Sequence, residues 1–141
     1  MLSSGYGSVM ADFEYVEEIA GAISAELAAA SQYAALAQLA PGDEDRSLLE
    51  GFAHEETEHA HSLAQAYATL MQTRWRGETH NPEIASYDGA LRQRIVAETD
   101  DFMRYANLSQ QAVSPWLKKL FLRLSTEEAV HAMRLPLLFH R

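Results

Sequence analysis

Apolar residues recur at helical spacing in four stretches of this chain, separated by proline, glycine and polar residues. The first runs from about Asp12 to Ala40 and stops at Pro41-Gly42. The second begins near Asp45 or Ser47, either of which can cap it, and continues to about Thr73. The third spans roughly 88–113. The fourth opens at Ser114-Pro115, a capping serine before a proline at the first helical position, and ends or kinks near Pro136. No stretch alternates as a strand would. The pattern predicts an all-α chain, a four-helix bundle over about 12–136, forming one domain of residues 1–141.

The connections carry the topology. Short links join the first helix to the second and the third to the fourth, so each pair is expected to be an antiparallel hairpin. Residues 74–88, RWRGETHNPEIASYD, form a longer link containing Gly77 and Pro82. A helix of ~25 residues is roughly 37 Å long, and fifteen extended residues reach about 50 Å. This link can therefore return along the whole bundle, making the second and third helices parallel.

Periodicity also sorts the polar residues. Stepping by three and four through the second helix gives Leu49, Phe52, Glu56, His59, Leu63, Ala66 and Leu70, a core stripe. The frame through Glu58 collects Gly51, His54, Glu55, His61, Ser62 and Gln65, a solvent face. In the fourth helix the stripe is Leu117, Phe121, Leu124, Glu128, His131 and Leu135, with Glu127 beside Arg123 and Arg134 on the surface. In the third it is Leu91, Ile95, Glu98, Phe102 and Tyr105. Glu26 is the only charged residue between Glu18 and Asp43, and it shares a face with Ile19, Ile23, Ala30 and Tyr33.

Composition narrows the function. With 48% hydrophobic residues the chain is globular. A net charge of -9 argues against nucleic acid and anionic membrane surfaces. The absence of cysteine excludes disulfides and thiolate metal sites within the chain. MLSSGYGSVMADFEY has no basic start or sustained apolar core, and residues 19–40 are too polar for a membrane span, so a cytoplasmic protein is expected. The first helix has no charged solvent face from 19 to 42. Its Ala28, Ala29, Ser31 and Ala35 would permit close packing in a homodimer, with hairpin exchange as a further option.

The inward acids form a repeat. E-x29-E-x2-H occurs as Glu26, Glu56, His59 and again as Glu98, Glu128, His131, offset by 72 residues. Four buried carboxylates would each carry a desolvation cost of about several kcal/mol. They must be protonated, paired or metal-bound, and the apolar stripes offer no lysine or arginine. Two divalent cations match four carboxylates and leave two histidines as nitrogen donors. A sulfur-free oxygen and nitrogen set suits iron or manganese. The competing reading is a metal-free helical interaction module.

One Glu from each of two helices plus Glu-x-x-His from each of the others is similar to the ferritin-like di-iron pattern. Within it the chain resembles the rubrerythrin family, in the EETEHA and EEAVHA forms of the motif and in Tyr33 seven residues after Glu26. The resemblance implies Glu26 and Glu98 as carboxylate ligands, Glu56 and Glu128 as bridging carboxylates, and His59 and His131 as terminal nitrogen ligands. It implies Tyr33 as a hydrogen-bond donor to a ligand carboxylate, and two irons reducing hydrogen peroxide to water. Oxidation of Fe(II) by oxygen, for iron storage, is the alternative within the superfamily. Two departures stand out. No rubredoxin-like CxxC is present, so an external electron donor is required. Asp101 replaces the family's further third-helix glutamate, and its shorter side chain is expected to act through hydrogen bonding or water.

Overall fold

The computed structural model of the chain describes residues 11–139, so most of the N-terminal stretch read for a leader lies outside the described residues. A 3-10 turn, Phe13–Tyr15, leads into α1 (Val16–Leu39). Then follow α2 (Asp43–Met71), α3 (Tyr87–Gln111), α4 (Pro115–Arg134) and a closing 3-10 turn, Leu135–Leu138, that contains Pro136. No strand occurs among the described residues, and no helix among them is long and apolar enough to cross a membrane.

The helix ends follow local chemistry, with two corrections. Neither Asp45 nor Ser47 caps α2. The extended Gly42 does, and Asp43, Glu44 and Asp45 fill the first turn, where negative charge meets the positive helix end. Pro115 does occupy the first turn of α4, but Ser114 does not cap it through its side chain. Its hydroxyl instead donates to Asp12 Oδ2 at 2.7 Å, tying α4 to the turn before α1. α3 starts on Ser86, whose Oγ accepts from the Gly89 N–H at 3.0 Å. α2 ends on Gln72 in the left-handed region (φ 57°), with its N–H returned to the Ala68 carbonyl.

Cross-bundle pairs fix the directions. Tyr33 reaches Glu98 and Tyr105 reaches Glu26, so α1 and α3 run antiparallel. The short Ala40–Gly42 link makes α1 and α2 antiparallel as well. Helices α2 and α3 are therefore parallel, as the long link requires. That link, residues 72–86, runs back over the outer face of α1. Ser24 Oγ donates to the Glu78 carbonyl at 3.3 Å and Ser31 Oγ to Asn81 Oδ1 at 2.9 Å. The uncharged outer face of α1 is thus covered in part by the crossover, and Ala29 faces the core. Trp75 and Ile84 pack against the core at the two ends of the link.

The core has two apolar clusters with a polar layer between them. One gathers Ile19, Ile23, Leu63, Leu70, Phe121 and Leu124 with their neighbours. The other gathers Leu36, Leu49, Phe52, Leu91 and Leu135 with theirs. On every helix the acids of the repeat fall between the segments that build these clusters. The stripes expected on α2 and α4 are buried throughout. On α3 the buried seam is Leu91, Arg94, Glu98, Tyr105 and Leu108, while Phe102 is 38% exposed and Ile95 half-buried. The face is turned by one residue, which brings Arg94 inward and leaves Asp101 largely covered.

Candidate metal centre

All six acids and histidines of the repeat lie in the middle layer, and none is more than 2% exposed. They form two overlapping groups whose potential ligand atoms lie within 4.8 Å of one another: Glu26, Glu56, His59 and Glu128, and Glu56, Glu98, Glu128 and His131. Glu56 and Glu128 belong to both. His59 Nδ1 lies 3.2 Å from Glu128 Oε1, 3.3 Å from Glu26 Oε2 and 3.5 Å from Glu56 Oε1. His131 Nδ1 lies 2.9 Å from Glu56 Oε1, 3.3 Å from Glu128 Oε1 and 3.7 Å from Glu98 Oε2. The two imidazoles stack with centroids 5.8 Å apart.

These atoms converge without satisfying one another. Both oxygens of Glu56, both of Glu128, Glu98 Oε2 and His131 Nδ1 are buried and lack a directed hydrogen bond. Buried polar atoms are normally paired, so such a cluster is costly as it stands. Oxygen and imidazole donors turned toward a common centre form two overlapping candidate metal-binding groups, and the donor set suits iron or manganese.

Each terminal glutamate has one oxygen tied off. The Tyr33 hydroxyl donates to Glu98 Oε1 at 2.6 Å, and the Tyr105 hydroxyl donates to Glu26 Oε1 at 2.8 Å. Tyr33 therefore serves the acid of the opposite hairpin. Tyr105 stands seven residues after Glu98, as Tyr33 does after Glu26, so the tyrosine belongs to the repeat. That spacing was the available signal for it.

Two further carboxylates meet the outer nitrogens of the histidines. Glu55 Oε2 is within hydrogen-bond distance of His131 Nε2, and Glu127 Oε2 lies 3.6 Å from His59 Nε2. Both acids are about half exposed, so reading them as solvated residues captures only their outer side. A carboxylate on Nε2 orients the ring and leaves Nδ1 to face the centre. The doubled Glu in EETEHA and EEAVHA was the sequence signal, since each motif's first acid crosses to the other motif's histidine.

Arg94 corrects the expectation that no cation reaches the core. It is 9% exposed, its Nη2 donates to Glu98 Oε1 at 3.1 Å, and its guanidinium lies over the Tyr33 ring. Asp101 is not among the converging ligand atoms. Its Oδ1 accepts from Arg104 Nη2 at 2.6 Å.

The protonation of the cation-free cluster follows from this geometry. Burial alone would lower His59, but the nearby carboxylates of Glu128, Glu26 and Glu56 outweigh it and hold the ring up to about 12. His131 is raised in the same way, against its burial, by Glu128, Glu56 and Glu98. Burial pushes Glu56 well above the usual carboxylate value, against the pull of His131 and His59. Burial also disfavours charge on Glu98, yet His131, Arg94 and Tyr33 together hold it low. Asp101 is pushed up to about 7, chiefly by burial, with Arg104 opposing and the charges of Glu26, Glu128 and Glu98 adding to the rise.

Comparison with known proteins found no match among curated proteins and none among solved structures. Among protein families, the rubrerythrin model matches residues 90–140. The matched span holds α3 and α4, with Glu98, Glu128 and His131, and the first hairpin repeats their spacing outside it. The second hairpin is thus rubrerythrin-like by family match, in line with the resemblance carried by the two Glu-Glu-x-x-His-Ala motifs.

Proposed function

We propose that the two groups hold a pair of iron ions, and that the protein is a di-iron oxidoreductase reducing hydrogen peroxide with electrons from an external donor. The observation that carries this reading is the sharing of Glu56 and Glu128 between two four-residue groups buried in one layer. Bound iron supplies Lewis acidity and exchangeable electrons. The balance is two electrons and two protons per hydrogen peroxide, giving two waters.

The chain's own residues prepare that chemistry. Glu26 and Glu98 each turn one oxygen inward, because Tyr105 and Tyr33 occupy the other. His59 and His131 present Nδ1, and His131 is steered from behind by Glu55, while Glu127 stands 3.6 Å behind His59. The apolar clusters above and below the layer exclude bulk water, which strengthens every charge interaction inside it. Asp101 acts in this reading through hydrogen bonding and not as a ligand, which its bond to Arg104 and its absence from both ligand groups support.

Ferroxidase activity is the second reading. Glu55 and Glu127 favour it, since half-exposed carboxylates beside the histidines offer incoming Fe(II) its first ligands. Anaerobic reduction of the iron-loaded protein, followed by separate mixing with peroxide and with oxygen, separates the two by absorbance. Faster oxidation by peroxide supports the peroxidase. Faster oxidation by oxygen, with continued uptake of added Fe(II), supports the ferroxidase.

A further inference from the structure

The two halves of the centre come from one repeat and differ at one buried charge. Glu98, Tyr105, Glu128 and His131 follow Glu26, Tyr33, Glu56 and His59 by 72 positions. By the same offset Arg94 corresponds to Ala22, which is buried and uncharged. Glu98 Oε1 therefore accepts from both Tyr33 and Arg94, at 2.6 and 3.1 Å, whereas Glu26 Oε1 accepts from Tyr105 at 2.8 Å, and among the described residues no arginine or lysine pairs with Glu26. Asp101 and Arg104, the other charged pair near the layer, are joined to each other at 2.6 Å, and neither is hydrogen-bonded to a ligand carboxylate as Arg94 is.

We infer that the two cation positions are unequal: the Glu26, Glu56, His59, Glu128 group fills first, and Arg94 weakens the Glu56, Glu98, Glu128, His131 group. Arginine stays charged in proteins, so the repulsion cannot be relieved by proton loss. A unit charge hydrogen-bonded to one ligand of a buried site is worth at least ~10-fold in cation affinity, even at an effective dielectric of ~20. The chain thereby takes up one cation at concentrations that leave its second position empty. This inference rests on the two-cation reading above and adds an order of filling to it.

The test is anaerobic calorimetric titration of the cation-free full chain with Mn(II). Shared Glu56 and Glu128 weaken the second step even in a symmetrical centre, so the wild-type gap alone decides nothing. The deciding variant is Arg94→Gln, which keeps a hydrogen-bond donor and loses the charge. It is expected to tighten the second step at least ~10-fold and leave the first unchanged. Arg94→Lys, which keeps the charge, is expected to preserve the gap. The order of filling is read independently from ligand variants, with Arg94 intact. His131→Ala keeps the tight step, and His59→Ala loses it. A gap as wide in Arg94→Gln as in wild type, or tighter binding to His59→Ala than to His131→Ala, would overturn the inference and leave the two-cation reading standing. A wild-type chain that binds no cation would overturn both.

Discussion

Helix α2 carries glutamate and histidine three apart in two overlapping copies, Glu56 with His59 and Glu58 with His61. The first copy is buried and meets Glu26 and Glu128. The second faces solvent, where Glu58 stands 3.8 Å from the exposed His54 and His61 lies near Gln65. Both copies place an acid and an imidazole one helical turn apart. Only the first is surrounded by other carboxylates that water cannot reach. Spacing makes a pair possible, and burial among like charges makes it a candidate metal site.

The comparison breaks most sharply at the glutamates. Glu56→Ala removes a carboxylate common to both groups, and metal content is expected to fall from two per chain to less than one. Glu58→Ala is expected to retain both metals and to change stability by no more than ~0.5 kcal/mol, as solvent-facing substitutions do. Elemental analysis of the two variants settles it. A swap of phenotypes would mean that the inward face of α2 has been misassigned.

A second contrast sets the doubled acids against the outer histidines. Glu55→Ala and Glu127→Ala leave every inward ligand in place, but the first removes the hydrogen bond that holds His131 and the second removes the carboxylate 3.6 Å from His59. Loss of such an orienting carboxylate typically costs ~10- to 100-fold in metal affinity. His61→Ala is expected to cost nothing measurable. Competition with a chelator of known affinity reads the difference, and equal affinities in all three variants would remove Glu55 and Glu127 from the centre.

Acidity sharpens the contrast between the cation-free and loaded forms. His59 rises to about 12 in the folded cation-free chain, from the ordinary histidine value of 6.5. Its stabilising contribution is thus complete below about pH 6.5 and is lost as pH rises toward 12. His131 acts in the same direction. Asp101, raised to about 7 from 3.8, costs stability as pH climbs between those values. Glu98 and Glu128, both held low, contribute above the ordinary carboxylate value and lose that contribution as pH falls. The cation-free protein is therefore expected to melt lower at pH 8.5 than at pH 6, by at least ~4 °C, about 1 kcal/mol for a chain of this size. Metal displaces those protons, so its stabilising effect grows with pH. Melting curves of both forms at the two pH values test this, and a cation-free form that gains stability with pH would contradict it.

The smallest effect belongs to the tyrosines. Tyr105→Phe removes the tyrosine bond to Glu26, while Tyr33→Phe leaves Glu98 still held by Arg94. Loss of one such bond is worth about 1 kcal/mol. Tyr105→Phe is expected to weaken cation binding more than Tyr33→Phe, and calorimetry on the two variants ranks them.

Much of this was legible because the ligand-bearing stripes of α2 and α4 contain only apolar residues besides the ligands, so periodicity admits one inward face. The long 72–86 link likewise dictated parallel α2 and α3. Three things were not legible, for physical reasons. Arg94 has an aliphatic stem and a charged end, and a one-residue turn of α3 decides whether it or Ile95 lies inward. That same turn exposes Phe102. Glu55 and Glu127 are partly solvated, so no burial pattern marks them, and only the doubling of the acid in both motifs does. That the crossover covers part of the outer face of α1, held at Ser24 and Ser31, was not legible either, because the link has no apolar periodicity to place it.

The central claim is that four carboxylates and two histidines share one buried layer because they bind two cations. Anaerobic reconstitution of the full chain with Fe(II), removal of unbound iron, and elemental analysis against protein concentration measure this directly. The account predicts two irons per chain, one for each ligand group. One iron or none under saturating Fe(II) would contradict it.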